Sequence, residues 1–508
     1  MWDLGGEACP GARPARTSCS CASLAPPPPI FPPIMTSLNT EAALNQLMAH
    51  IEHNPLHRAP SLDAEQLDEA TTAAEGAVFA ALQALPPSHL SLFAAAAAGN
   101  AGPTVVDLRS DTVTQPTLAM LDAMTIAHVG DDIWGDDPTT RLLEETAARV
   151  LGKEAALLMP SGTMGNLVAA MAWCPTRGAE ILAGAESHLV VYEQGGTAQV
   201  AGIHTRTVPN LPDGTLCLDT VEAYLRPRGS ALGTGDTSVY GSGPTGPRGG
   251  DDWQPARFPV PPGAFDQADP HYPVTGLISL ENTHNRCGGR VVPIDHAEAL
   301  GRLAGPVPIH MDGARVFNSA VALGRPVADL TAGVSSVQVC LSKGLSAPVG
   351  SILAGPAEMI ARSRRMRKVL GGGLRQSGVI AAAGLVALGA MVPRLAVDHL
   401  NARRLAAGIQ EIGAAAGPAG TLEVSCDPAT VDTNIVLFQV RPGQAGTGAT
   451  SAPGGLSPAD QLVARLRPHG IWVGSFGPNQ VRAVTHRHIT EDQIDRTLLA
   501  LKQELAQG

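Results

Sequence analysis

Two residues, a lysine and an aspartate, stand where small-molecule chemistry needs them. Lys343 follows the short apolar run Val337 to Leu341 in "SVQVCLSKGLSAPVGSIL" (336–353), and glycine, small residues and proline come after it. A β-branched run bounded by breakers predicts a buried strand, which puts the lysine at its end. A partly desolvated amine has a lowered pKa and can attack a carbonyl, so Lys343 is a candidate Schiff-base lysine. On its own segment the more common reading is a lysine snorkelling out of a loop, and the other segments must shift that balance. Asp312 closes another apolar run, in "PVPIHMDGARVF" (306–317). A carboxylate at a strand end lies where ligands bind in open α/β sheets and could keep a pyridine nitrogen protonated; the competing reading is an ion pair with Arg315. The two residues are 31 positions apart, about one helix and one strand, so neighbouring strands would aim both at one crevice.

Three more segments end in the same way. "AALLMPSGTMGNLVAAMAW" (155–173) reads as strand, small-residue turn and helix. The free amides of such a helix start, with Gly162 and Thr163 in the turn, make an anion site that fits phosphate. The competing reading is a capping turn on Ser161 or Thr163, since the segment is neither a P-loop nor a dinucleotide fingerprint. "GLISLENTHNRCGG" (276–289) brings Glu281, Asn282, His284 and Asn285 to a strand end, and "EILAGAESHLVVYEQGG" (180–196) brings His188. Either histidine could handle protons near neutral pH, and His188 could stack on an aromatic cofactor.

Positioning these residues requires an α/β architecture. From Val105 to about Pro227, and from about Gly276 to Pro356, apolar strands alternate with helical patterns, the mark of βαβ units on a mainly parallel sheet. We expect a large cofactor-binding domain over 104–365 and a smaller C-terminal α+β domain over 366–508. The low-complexity stretches 228–275 and 441–458 read as surface insertions, because such compositions cannot offset their ordering entropy by burial. Residues 1–38 read as a disordered Pro/Ala-rich extension that leaves organelle import open, and 39–103 as accessory helices.

Composition narrows the function class. The chain has 508 residues, 44% of them hydrophobic, which is ample for a large core. A net charge of −11 without a dense Lys/Arg block argues against nucleic acid or an anionic membrane as partner. Eight scattered cysteines give neither a disulfide framework nor a metal site, which fits a reducing compartment such as the cytoplasm. No uninterrupted apolar run approaches the roughly 20 residues of a membrane span.

Taken together, the segments resemble one family, the low-specificity L-threonine aldolases of the aspartate aminotransferase-like (fold type I) pyridoxal-phosphate enzymes. The resemblance covers about 105–505 outside the insertions. It rests on "VVDLRSDTVTQPT", "VGDDIWGDDPTTRLLEE", "GKEAALLMPSGTMGNL", "LENTHN", "HMDGAR", "CLSKGLSAPVGS", "RKVLGGGLRQSG", "DTNIVLF" and "VRAVTH", in that order. It implies that pyridoxal 5'-phosphate is carried by Lys343, faces Asp312 through its ring nitrogen, stacks on His188 and places its phosphate at Gly162 and Thr163. It further implies that Ser110, Arg315 and Arg482 bind the amino-acid carboxylate and that His284 lies near the β-hydroxyl. Arg375 matches a residue that reaches a cofactor phosphate from a neighbouring subunit, which implies a homo-oligomer, a dimer of dimers, with shared sites. The expected reaction is retro-aldol cleavage of threonine or allo-threonine to glycine and acetaldehyde. The alternatives are a β-eliminating lyase on the same cofactor and a non-catalytic scaffold.

Overall fold

The computed structural model describes residues 105–226, 271–416, 421–444 and 455–506, with a few helical residues between 45 and 80. The expected extension (1–38), residues 228–270 of the first insertion and residues 445–454 of the second lie outside the described residues. In chain order the described strands are β1 (Val106–Asp107), β2 (Ala155–Met159), β3 (Ala179–Gly184), β4 (His204–Val208), β5 (Val274–Glu281), β6 (Ile309–Asp312), β7 (Ser336–Cys340), β8 (Ser351–Gly355), β9 (Leu422–Ser425), β10 (Ile435–Pro442), β11 (Ile471–Trp472), β12 (Gly474–Gly477) and β13 (Gln480–Val484).

Seven of them form the main sheet, in the order β2-β8-β7-β6-β5-β3-β4. Pairing is parallel from β7 across to β4, and β8 runs antiparallel to both of its neighbours. Its central strands are buried throughout and read as nearly continuous apolar runs, as parallel strands covered on both faces must. The polar exceptions on β6 and β7 are His310, Asp312, Ser336 and Gln338, each almost fully buried.

The C-terminal half carries a second, antiparallel sheet in the order β12-β13-β10-β9. Its apolar core takes in Val106 and Leu108 from the first described segment, because β1 pairs with β11. The handover between the two cores falls later than 366. The helix Ala357–Val369 spans that boundary without a break, Leu395 still packs under the large sheet, and Ala402 is the first residue beyond it in the small-sheet core. One long helical run, Gly378–Ala415, carries the chain across, and 78% of its most apolar window is buried inside the protein. Length and composition alone would let that helix cross a membrane, but here its apolar surface serves as core. Of the expected accessory helices, Met48, Ala74 and Val78 are described, and they join the core under the main sheet.

Candidate active site

Parallel strands bring their C-terminal ends to one edge of the sheet, and the sequence-predicted residues gather there. Asp312 ends β6 with Glu281 of β5 on one side in register and Gln338 of β7 on the other. Lys343 lies three residues past the end of β7. Its backbone carbonyl accepts hydrogen bonds from Thr114 Oγ1 at 2.8 Å and from the amide of Ser346 at 2.8 Å, which closes a tight loop. Ser346 is buried in a left-handed conformation (φ 65°), one of two such non-glycine residues among those described; the other, Gln194, follows Glu193. Both loops hold strained backbone beside a site residue, which only a well-packed surrounding sustains. The Lys343 amine has no hydrogen-bond or ion-pair partner among the described residues.

His188 opens a single helical turn, His188–Val191, beyond the end of β3. Its backbone amide donates to Glu281 Oε2 at 2.6 Å, and Glu281 Oε1 accepts from the Asn285 amide at 2.8 Å, so one carboxylate aligns two site loops. Its ring Nδ1 lies 2.8 Å from Glu193 Oε1. Burial alone would lower the His188 pKa, but Glu193 and Asp312 outweigh it and raise the value, with Lys343 opposing. The acid Asp312 is almost fully buried; its Oδ1 accepts from the Ala314 amide at 3.1 Å and its Oδ2 from Asn166 Nδ2 at 2.8 Å.

The turn expected to hold phosphate lies between β2 and the helix Gly162–Trp173. Ser161 caps the helix Gly162–Trp173 by accepting from the Met164 amide, so the capping role falls to Ser161 and the Thr163 side chain stays exposed. A Cβ at Gly162 would sit 2.8 Å from Cys340 Sγ and 3.0 Å from Gln338 Nε2, so glycine lets the helix start lie against the end of β7.

The carboxylate-binding candidates divide. Arg315 forms a two-pronged pair with Asp111, at 2.8 and 2.6 Å, fully inside the protein. Burial would raise the Asp111 carboxyl, but Arg315, Lys343 and Asn434 hold it well below the usual carboxylate range. Ser110 sits one residue earlier and accepts from the Thr112 amide. Arg482, on β13 of the small sheet, donates to Asn285 Oδ1 at 2.8 Å and to the Arg109 carbonyl, and lies over the Phe476 ring. Its pKa is lowered by burial and by Arg315. Arg482 lies within electrostatic reach of Arg315, and of the two guanidiniums only Arg315 is bonded to Asp111. His284 is buried; its Nδ1 accepts from the Cys287 amide at 3.3 Å, and its Nε2 has no hydrogen-bond partner among the described residues. Arg375 stands apart: its side chain is 62% exposed and pairs with Asp131 of its own chain.

Sequence reasoning missed four residues: Asp111, Asn166, Glu193 and His310. Asp111 lies beside Ser110 in "RSDTVT", and Glu193 lies in the segment quoted for His188; both signals were adjacent to residues already singled out.

A seven-stranded sheet of this order, with an acid and a lysine at adjacent strand ends and a helix start for phosphate, defines the fold type I class of pyridoxal-phosphate enzymes. The family described as beta-eliminating lyase matches residues 107–236 and 263–440. Low-specificity L-threonine aldolase 1 of Arabidopsis thaliana is 40% identical over 403 residues, covering 79% of this chain and 96% of the plant protein. The low specificity L-threonine aldolase of Escherichia coli K12 is 36% identical over 392 residues, covering 77% and 96%. Among solved structures, a Leishmania major threonine aldolase matches with a TM-score of 0.56 at 15% identity (79% of this chain, 99% of that one). A putative L-allo-threonine aldolase from Listeria monocytogenes matches with 0.55 at 17% (77% and 94%). The chain belongs to the low-specificity L-threonine aldolase family.

Proposed function

We propose that the protein cleaves L-threonine and L-allo-threonine to glycine and acetaldehyde with pyridoxal 5'-phosphate. The observation that carries this reading is the Lys343 amine, without a partner among the described residues, in one electrostatic cluster with Asp111, His188 and Asp312, at the edge where the turn proposed for phosphate also lies. The residues fit the cofactor: Lys343 would anchor its aldehyde, the helix start at Gly162 and Thr163 its phosphate, Asp312 its ring nitrogen and His188 its ring face. When bound, it supplies a protonated ring that draws electrons from the Cα–Cβ bond as that bond breaks.

The protein's own groups do the rest. Arg315, held in a fixed fork by Asp111, and Arg482 would bind the substrate carboxylate with Ser110 and so fix the rotation that aligns the Cα–Cβ bond. With Nδ1 accepting from Cys287, a neutral His284 carries its hydrogen on Nε2 and can donate to the β-hydroxyl oxygen. With Nδ1 donating to Glu193, a neutral His188 keeps the Nε2 lone pair and can take the hydroxyl proton. The β-carbon then leaves as a carbonyl, the electron pair stays on Cα, and reprotonation there yields glycine.

Glycine and acetaldehyde from both threonine diastereomers, with pyridoxal phosphate added, test the reading. Ammonia and a keto acid instead would favour the β-eliminating alternative.

Arg375 fits a homo-oligomer, a dimer of dimers, in which a neighbouring copy supplies it. Trp134 (61% exposed), three residues after Asp131, with which Arg375 pairs, and Val369 (78%), six residues before Arg375, are exposed apolar side chains of the kind that a second copy covers. Among the described residues, Cys217, Cys287, Cys340 and Cys426 are free thiols, which suits a reducing compartment, and we read the protein as cytoplasmic.

A further inference from the structure

Behind Asp312 runs a chain of buried hydrogen bonds that the reaction above does not use. Trp173 Nε1 donates to Ser336 Oγ at 2.9 Å; Ser336 Oγ lies 2.9 Å from His310 Nδ1; His310 Nε2 lies 3.1 Å from Asn166 Oδ1. Asn166 Nδ2 then donates to Asp312 Oδ2 and to Glu193 Oε1, both at 2.8 Å. The fold dictates the line-up: His310 pairs with Ser336 in register across β6 and β7, and stands two residues before Asp312 on the same face.

Only one placement of hydrogens satisfies the chain. The two carboxylates can only accept, which turns the Asn166 amide hydrogens toward them and its oxygen toward His310 Nε2; that nitrogen must then donate, and Ser336, which accepts from the indole, gives its own hydrogen to the Nδ1 of a neutral His310. His310 therefore carries its hydrogen on Nε2 and is neutral, in line with burial lowering its pKa to about 4. Asn166 Oδ1 accepts that hydrogen. A flipped amide would face its oxygen to both acids and its hydrogens to a donor. Glu193 Oε1 also meets His188 Nδ1. The polar atoms of His188, Glu193 and Asp312 lie within 4.8 Å of one another, so two buried acids share one neighbourhood.

We infer that Asn166 is a positioning residue that couples the two working ends of the site, holding Asp312 for the ring nitrogen and, through Glu193, holding His188 with its hydrogen on Nδ1. The inference rests on the cofactor reading proposed above. Without the bridging amide, two close carboxylates repel, and one of them takes up a proton. Loss of the charge on Asp312 weakens its hold on the ring nitrogen; loss of the charge on Glu193 releases His188. The charged groups facing this cluster are Lys343 and His188 from the site loops and Glu281 at the His188 amide; His310 faces it neutral from β6.

Asn166→Ala tests it in two ways. In the cofactor-free protein, the His188 imidazole titration followed by histidine-selective NMR shifts, and in the holoenzyme the pH titration of the cofactor's visible absorbance shifts, each by about one unit. The kcat falls about 10- to 100-fold, as expected when a buried charge loses its hydrogen bond, while KM for L-threonine stays within about threefold. His310→Phe keeps the volume but frees the Asn166 carbonyl, and gives smaller shifts in the same direction even if Asn166→Ala does not fold. Titrations in the variants that superimpose on those of the unsubstituted enzyme overturn the inference alone. An unsubstituted enzyme that takes up no pyridoxal phosphate overturns the cofactor reading and the inference with it.

Discussion

The two banks of the crevice differ in how completely their polar groups are satisfied. On the acid bank, Asp312, Asn166, Glu193, His310 and Ser336 bond to one another without a gap. On the opposite bank, the Lys343 amine has no partner among the described residues, and the buried Nε2 of His284 has none either. A buried polar group left unmatched costs about 1–3 kcal/mol, so a folded chain retains one only where something else meets it. The contrast separates the groups that hold geometry from the groups that wait for ligand. Substitutions on the waiting bank should abolish chemistry and spare the fold; substitutions on the satisfied bank should disturb both.

The largest effect is expected at Lys343. Lys343→Ala should lower aldehyde release at least about a thousandfold while leaving the thermal unfolding midpoint unchanged. A parallel loss of folding would break the comparison, because it would make the lysine structural. Asp111→Asn should act in the opposite sense, on the scaffold: an unpaired Arg315 left inside costs about 3–5 kcal/mol of stability, read by urea unfolding. The same pair sets an acid dependence. Because the folded pKa of Asp111 is depressed, its contribution is complete above the ordinary value of 3.8 and is lost as the pH falls below it toward the depressed value. The substituted chain should lack that part of the acid sensitivity in unfolding curves taken across the range. His284→Phe should lower kcat/KM for threonine about 10- to 100-fold and cost only about 1 kcal/mol of stability, since the Cys287 amide loses its Nδ1 acceptor while nothing is lost at Nε2. The smallest change is expected from Arg375→Ala, whose exposed pair with Asp131 contributes at most about 1 kcal/mol. Weakened cofactor binding in that variant, measured on the assembled protein, would sharpen the case for a shared site.

The residues at strand ends were legible in the sequence, Asp312 of the satisfied bank among them, and the groups that bond to it were not. Lys343, Asp312 and His188 each follow an apolar strand, and the chain's periodicity places strand ends without knowledge of any partner. Asn166, Glu193 and His310 acquire their roles only through contacts 27, 146 and 144 positions apart in the chain. His310 in particular reads as one polar residue in a core strand until Ser336 and Asn166 are set on either side of it. Arg315 was legible as an arginine near an acid, but its partner is the distant Asp111 and not Asp312. The second sheet was expected only as a smaller α+β unit. The part that β1 plays in its core could not be read, because a two-residue strand paired with β11 more than 360 positions later leaves no periodic trace.

The central claim is that the cofactor is carried by Lys343. Borohydride reduction of the yellow holoenzyme, followed by proteolysis and mass mapping, tests it most directly. The account predicts a single pyridoxyl modification on the peptide containing Lys343; a modification on another lysine, or none after saturation with pyridoxal phosphate, would contradict it.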